Sequence, residues 1–130
     1  MQKNEQAEQQ TTRLLAEIEK RYGFVPLVNT VLAERPDMFL PNNGLSRAVL
    51  EGEGALDRKT RYLIALSAAV ALSGEHCMHN QLVHAIEAGA SRDEVLEVME
   101  ISSYMAMTKC QSYAFREYAK EYNVDTKGQQ

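Results

Sequence analysis

Residues 57–91 read DRKTRYLIALSAAVALSGEHCMHNQLVHAIEAGAS, and this stretch decides the fold class. Asp57 precedes a run, 58–73, that carries apolar side chains around most of a helical circumference. That is the pattern of a helix covered on several sides, so it is expected to be central and buried. Ser73 is a good N-cap for a second helix running to Ala88. Gly89 supplies the stop, because only glycine enters the left-handed region without strain.

The pattern continues outward in both directions. Ser91, with Glu94 three residues later, forms a capping box. Val95, Leu96, Val98, Met99 and Ile101 carry that helix past Tyr104 to Met107, and a last helix is expected over residues 109–122. Upstream, Leu14, Leu15, Ile18 and Tyr22 repeat at helical spacing within residues 5–22, and Gly23 ends that segment. Pro26 opens a short helix with Leu27, Val28, Val31 and Leu32 on its apolar face. Pro36 permits a new start that Asp37 can cap. The tetrapeptide Pro41-Asn42-Asn43-Gly44 is placed to break or loosen it before residues 45–50 resume, and Gly52 and Gly54 mark a loop. No strand alternation of period two and no internal repeat is present. The expectation is a single all-α domain over residues 1–130, a bundle of about six or seven helices, with residues 1–10 and 123–130 flexible.

Bulk properties narrow the function. The chain has 130 residues and a formal net charge of -4. It has no Lys/Arg cluster that would form a nucleic-acid footprint, so no nucleic-acid partner is expected. The longest nearly apolar run, residues 63–72, is too short to span a bilayer. The polar N-terminal segment does not read as a secretion signal, and the expected location is the cytoplasm. The two cysteines, Cys77 and Cys110, are not expected to form a permanent bridge in a reducing compartment.

Chemistry concentrates at Cys77. With Ser73 as the cap, the thiol falls near unpaired backbone N–H groups and the positive end of a helix dipole, both of which favour thiolate. Glu75 opposes this if it points the same way. Cys77, Gln81 and His84 share one face at i, i+4 and i+7, while His76, His79 and Asn80 lie on another stripe. Gln81 can hydrogen-bond but takes no proton at neutral pH. Three readings stand beside each other: a redox thiol with polar helpers; a metal site from Cys77, His76, His79 and His84, for which no second Cys/His cluster supplies closing ligands; and ordinary packing and surface residues. No cofactor and no metal is expected.

The run 56–66 (LDRKTRYLIAL), the Cys77 segment and residues 88–95 (AGASRDEV), together with Tyr22-Gly23-Phe24-Val25-Pro26 and Ala33-Glu34-Arg35-Pro36, resemble the alkylhydroperoxidase AhpD-like / carboxymuconolactone decarboxylase family. The resemblance spans about residues 22–118. It implies an all-α fold that builds homotrimers or homohexamers. In the peroxidase branch a Glu precedes a Cys-x-x-Cys-x-x-x-His motif, in which the second Cys attacks peroxide, the first resolves the sulfenate, and Glu and His relay protons. Counted back from Gly89, the His position falls on Gln81, the attacking Cys on Cys77, the resolving Cys on Gly74 and the Glu on Tyr62. Cys77 alone keeps the motif. The decarboxylase branch places a glutamate at the Cys77 position and a histidine at the Gln81 position, and neither is present.

The resemblance therefore implies a thiol-dependent redox protein, a peroxidase or disulfide reductase, centred on Cys77 with Gln81, Tyr62 and His84 as neighbours. Either Cys110 or an external thiol reductant would resolve it. Two alternatives stay open: a non-catalytic oligomeric binding or structural protein that has lost the chemistry, and a different acid–base enzyme that uses Tyr62 or His84 on a small-molecule substrate. Met99, Met105, Met107 and Tyr104 read as core or oligomer packing, and residues 115–122 (FREYAKEY) read as a solvated helix face.

Overall fold

The computed structural model describes residues 2–125 and is all-helical within them. Six helices follow in order: α1 (Gln2–Tyr22), α2 (Leu27–Ala33), α3 (Pro36–Glu51), α4 (Arg58–Ala71), α5 (Glu75–Glu87) and α6 (Arg92–Glu121). They fall into two compact units, Met1–Ala55 and Leu56–Gln130.

In the first unit α1 packs on α3 and α2. α1 begins at Gln2, so residues 2–10, expected to be flexible, are helical. Of the other segment expected to be flexible, residues 126–130 lie outside the described residues. Gly23 ends α1 at φ +78, where a Cβ would be strained. α3 is continuous through Pro41, so of the two expectations for residues 41–44, a break or a loosening, the break does not occur. Pro41, sixth residue of α3, removes the hydrogen bond its N–H would give to the Asp37 carbonyl and crowds that oxygen, a cost the helix carries without ending. Asp37 does not cap α3. Arg35 occupies the N-cap with Pro36 behind it, and Asp37 takes a two-pronged ion pair from Arg35 at 2.9 and 2.6 Å. Phe39 is the buried apolar anchor of this unit.

In the second unit α4 packs against both α5 and α6, so it is central to the unit as its apolar run predicts. Its burial is confined to one stripe, Tyr62, Leu66 and Ala69 at i, i+4 and i+7, while Ile64 and Leu72 stay exposed. Full burial of a side chain such as Leu66 contributes roughly 1.5–3 kcal/mol. Within the α4–α6 contact, Ser102 Oγ donates to Ser67 Oγ at 2.8 Å or to Val98 O at 2.5 Å. Lys59 of α4 reaches Glu94 of α6 at 2.7 Å. The two late helices expected from sequence are one helix of 30 residues. No glycine or proline interrupts residues 92–121, and at the expected junction Thr108 donates its hydroxyl to Met105 O at 2.9 Å.

Candidate functional site

α5 starts differently from the sequence expectation. Ser73 is not its N-cap. It sits at φ 56 as the left-handed residue that ends α4, its N–H donating to Val70 O at 3.1 Å and that of Gly74 to Ala69 O at 3.0 Å. This is the paired-bond helix stop that normally uses glycine. α4 ends without Gly or Pro, and its C-terminal carbonyls recruit the N–H groups of the next residues whatever their side chains. Ser73 is thereby consumed, Gly74 becomes the N-cap, and no side chain caps α5. The first intrahelical bond of α5 is Met78 N–H to Gly74 O at 2.7 Å. The N–H groups of Glu75, His76 and Cys77 are therefore its first-turn donors.

Cys77, third residue of this helix, is exposed with a free thiol. A Cβ built on Gly74 would stand 3.4 Å from Cys77 Cβ and 3.8 Å from its Sγ. The glycine thus leaves one flank of the sulfur uncovered. Cys110, on α6, is also exposed and free.

Along the face that Cys77 shares with Gln81 and His84, burial rises toward the C-terminus of α5. Gln81 is half-buried, and its Oε1 is inaccessible with no hydrogen-bond partner. His84 is 5 % exposed. Its ring stacks on that of Tyr62, centroids 4.9 Å apart and planes 26° apart, and its Nδ1 lies 3.3 Å from Glu87 Oε2. Tyr62 is 1 % exposed, and the Arg58 guanidinium lies 5.6 Å from its ring centroid. The structure therefore brings Tyr62 and His84 together in the α4–α5 contact and leaves Cys77 at the open end of the same helix face. His76 and His79 are exposed. Among the described residues no group of three or more His, Cys, Asp or Glu side chains is disposed to hold a metal ion.

Sequence reasoning missed two partners in this cluster, Arg58 and Glu87. Both signals were present: Arg58 lies one turn before Tyr62 and Glu87 lies at i+3 from His84, the spacings at which helical side chains meet.

Nearby carboxylates are tuned by helix starts. Asp57 caps α4, accepting from Thr60 N–H at 3.0 Å. That bond, with one from the Thr60 hydroxyl, holds its carboxyl below the usual range. Glu94 is held low first by Lys59 and then by the Ser91 backbone. Among the described residues no helix is long and apolar enough to cross a membrane.

The sequence profile of the carboxymuconolactone decarboxylase family matches residues 36–120, more than half of the chain and inclusive of every residue of the site. A comparison with curated proteins finds no match.

Proposed function

The chain belongs to the carboxymuconolactone decarboxylase family, and within it we propose that this protein is a thiol-dependent redox protein whose reactive atom is Cys77 Sγ and whose resolving partner is an external thiol. One observation carries the reading. The only motif residue retained is an exposed sulfur in the uncapped first turn of α5, flanked by a glycine where a resolving side chain would otherwise stand. A thiol in that setting is reached by a peroxide and then by a second, external sulfur.

The cycle balances without a metal or cofactor. The Cys77 thiolate attacks one oxygen of a hydroperoxide. The O–O bond breaks, and the leaving alkoxide takes a proton from water. Sulfur is oxidised to sulfenic acid and the peroxide is reduced to an alcohol. An external thiol attacks the sulfenic sulfur, releasing water and leaving a mixed disulfide. A second external thiol attacks that disulfide, regenerating Cys77 and carrying away one external disulfide. Gln81, one turn on from Cys77 on the same face, offers an amide that can hydrogen-bond but moves no proton. Tyr62 and His84, packed behind, position α5. A reducing cytoplasm is the compartment that supplies the thiol and keeps Cys110 free.

The test is intact-mass analysis of the pure protein after one equivalent of hydrogen peroxide, with and without a low-molecular-weight thiol. Sulfenic acid on Cys77 and a mixed disulfide with the added thiol are expected, both lost in Cys77→Ser and both retained in Cys110→Ser. A Cys77–Cys110 disulfide would replace the external thiol by Cys110. A Cys77 that stays reduced throughout would overturn the reading and favour a non-catalytic binding protein, for which the buried, unpartnered Gln81 Oε1 is the supporting observation. A further arm uses Gly74→Cys. Its Cβ falls near the low end of the Cβ separations found in disulfides, so the sulfenic acid is expected to collapse into an intrachain disulfide, with no mixed disulfide formed.

A further inference from the structure

Thirteen residues make up α5, and only His84 and Ala85 among them are buried. Alanine has no reach beyond its Cβ, so His84 is the side chain that anchors this helix in its contact with α4. A leucine would fill such a position without needing partners. An imidazole brings two ring nitrogens, and a buried polar atom left unpaired is costly. The ring lies on Tyr62 with centroids 4.9 Å apart and planes 26° apart. Stacking of this kind sets the plane of the ring but not which edge faces which way. Half a turn about the Cβ–Cγ bond exchanges the two edges and leaves the plane where it was. A second contact must choose between them.

Glu87 makes that choice. Its Oε2 lies 3.3 Å from His84 Nδ1. The glutamate side chain is 46 % exposed against 7 % for the histidine. At neutral pH a carboxylate so open to water is ionised and only accepts hydrogen bonds, so the hydrogen in this contact sits on Nδ1. The half-turned ring would set a carbon, Cδ2, against the oxygen. The place of Glu87 in the chain is a second sign. It is the last residue of α5, where a negative charge meets the negative end of the helix dipole. The helix itself disfavours a carboxylate there, and the pairing with His84 offsets that cost.

We propose that Glu87 is a positioning residue. It holds a proton on Nδ1 of His84, keeps the ring in one orientation on Tyr62, and so fixes α5 and the aim of its first turn, where Cys77 stands. His84 follows Cys77 by seven residues, about 10 Å along the axis. The imidazole therefore exchanges no proton with the sulfur and acts only through the helix. When the anchor loosens, the first-turn N–H groups that favour thiolate lose their fixed bearing on Sγ. The effect on Cys77 rests on the redox reading proposed above; the tautomer of His84 does not.

Two measurements on the full-length protein test this. The first reads the ring nitrogens by long-range nitrogen–proton NMR at neutral pH with isotope-labelled histidine, His84 being assigned by its loss in His84→Asn. Hydrogen on Nδ1 is expected in the wild type and in Glu87→Gln, whose amide oxygen still accepts, and sharing between both nitrogens in Glu87→Ala. A bare Nδ1 in the wild type, or an Nδ1 unchanged in Glu87→Ala, overturns the proposal whatever Cys77 does. The second is the rate of Cys77 with a chromogenic disulfide in a Cys110→Ser background. Glu87→Ala should slow it roughly three-fold or more, and Glu87→Gln should stay within about two-fold of the parent. Equal slowing by both variants, or an unchanged or faster Glu87→Ala, overturns the proposal. Should Glu87→Ala not fold, the wild type and Glu87→Gln decide through Nδ1. A Cys77 that exchanges with the disulfide but forms no sulfenic acid under peroxide overturns the redox reading and leaves the role of Glu87 standing.

Discussion

The two junctions on either side of α5 use the same residue types in reversed roles. At the α4–α5 junction a serine, Ser73, holds the left-handed position at φ 56, and a glycine, Gly74, holds the N-cap. At the α5–α6 junction a glycine, Gly89, holds the left-handed position at φ 93, and a serine, Ser91, holds the N-cap with a complete capping box. The hydrogen bonds that stop the helices are alike: Gly89 N–H to Ile86 O at 3.0 Å and Ala90 N–H to Ala85 O at 2.9 Å repeat the pattern at Ser73 and Gly74. The second arrangement puts each residue where its side chain is cheapest. The first puts a strained residue at the stop and leaves the next helix uncapped at the turn that carries Cys77. The difference teaches that the start of α5 is not built for stability, and the thiol occupies that weak point.

Four substitutions and a pH titration probe the contrast. Gly89→Ala meets no atom within 4 Å, so its cost is conformational alone. It should lower the unfolding free energy by about 1–2 kcal/mol in denaturant titrations. Ser91→Ala removes the acceptor of the 3.1 Å bond from Glu94 N–H and should cost about 1 kcal/mol by the same measurement. Ser73→Gly should do the reverse, raising stability by up to about 1 kcal/mol by relieving the left-handed strain. A loss there would break the comparison. Gly74→Asp should add only a few tenths of a kcal/mol as a cap. Its carboxylate beside Sγ should nevertheless slow thiol–disulfide exchange at Cys77, read as the rate with a chromogenic disulfide, and faster labelling would contradict this placement.

The last probe is acid. Asp57 and Glu94 have folded pKa values below their ordinary 3.8 and 4.5. Their contribution is therefore complete above the ordinary values and is lost as the pH falls through the lower folded ones. Asp57→Asn and Glu94→Gln should flatten the stability profile below about pH 4.5 and leave its alkaline side unchanged.

Much of the fold was legible because its signals are local. Gly23, Gly52, Asp57, Gly89 and the Ser91–Glu94 box each mark a boundary that the structure keeps. The misreadings arose where neighbours outvoted a residue's own preference. Pro41 costs α3 one hydrogen bond without ending it, and Ser73 was taken by the end of α4 before it could begin α5. Thr108 turned its hydroxyl back into an unbroken α6. The solvated face expected over residues 115–122 holds charge on its outer positions, but Phe115, Tyr118 and Tyr122 form one exposed stripe within it. At the site, the shared face of Cys77, Gln81 and His84 was readable from spacing. Its gradient from open to buried was not, because burial is decided by α4, through Tyr62.

The hydroxyl pair of Ser67 and Ser102 is the one buried point of α6, and it lies about a third of the way along a helix of 30 residues. About 19 residues, roughly 28 Å at 1.5 Å per residue, extend past that pivot. A tilt of about 5° at the serines therefore sweeps the tip carrying Tyr118 and Tyr122 through about 2.5 Å, so two small hydroxyls set the aim of a long lever arm.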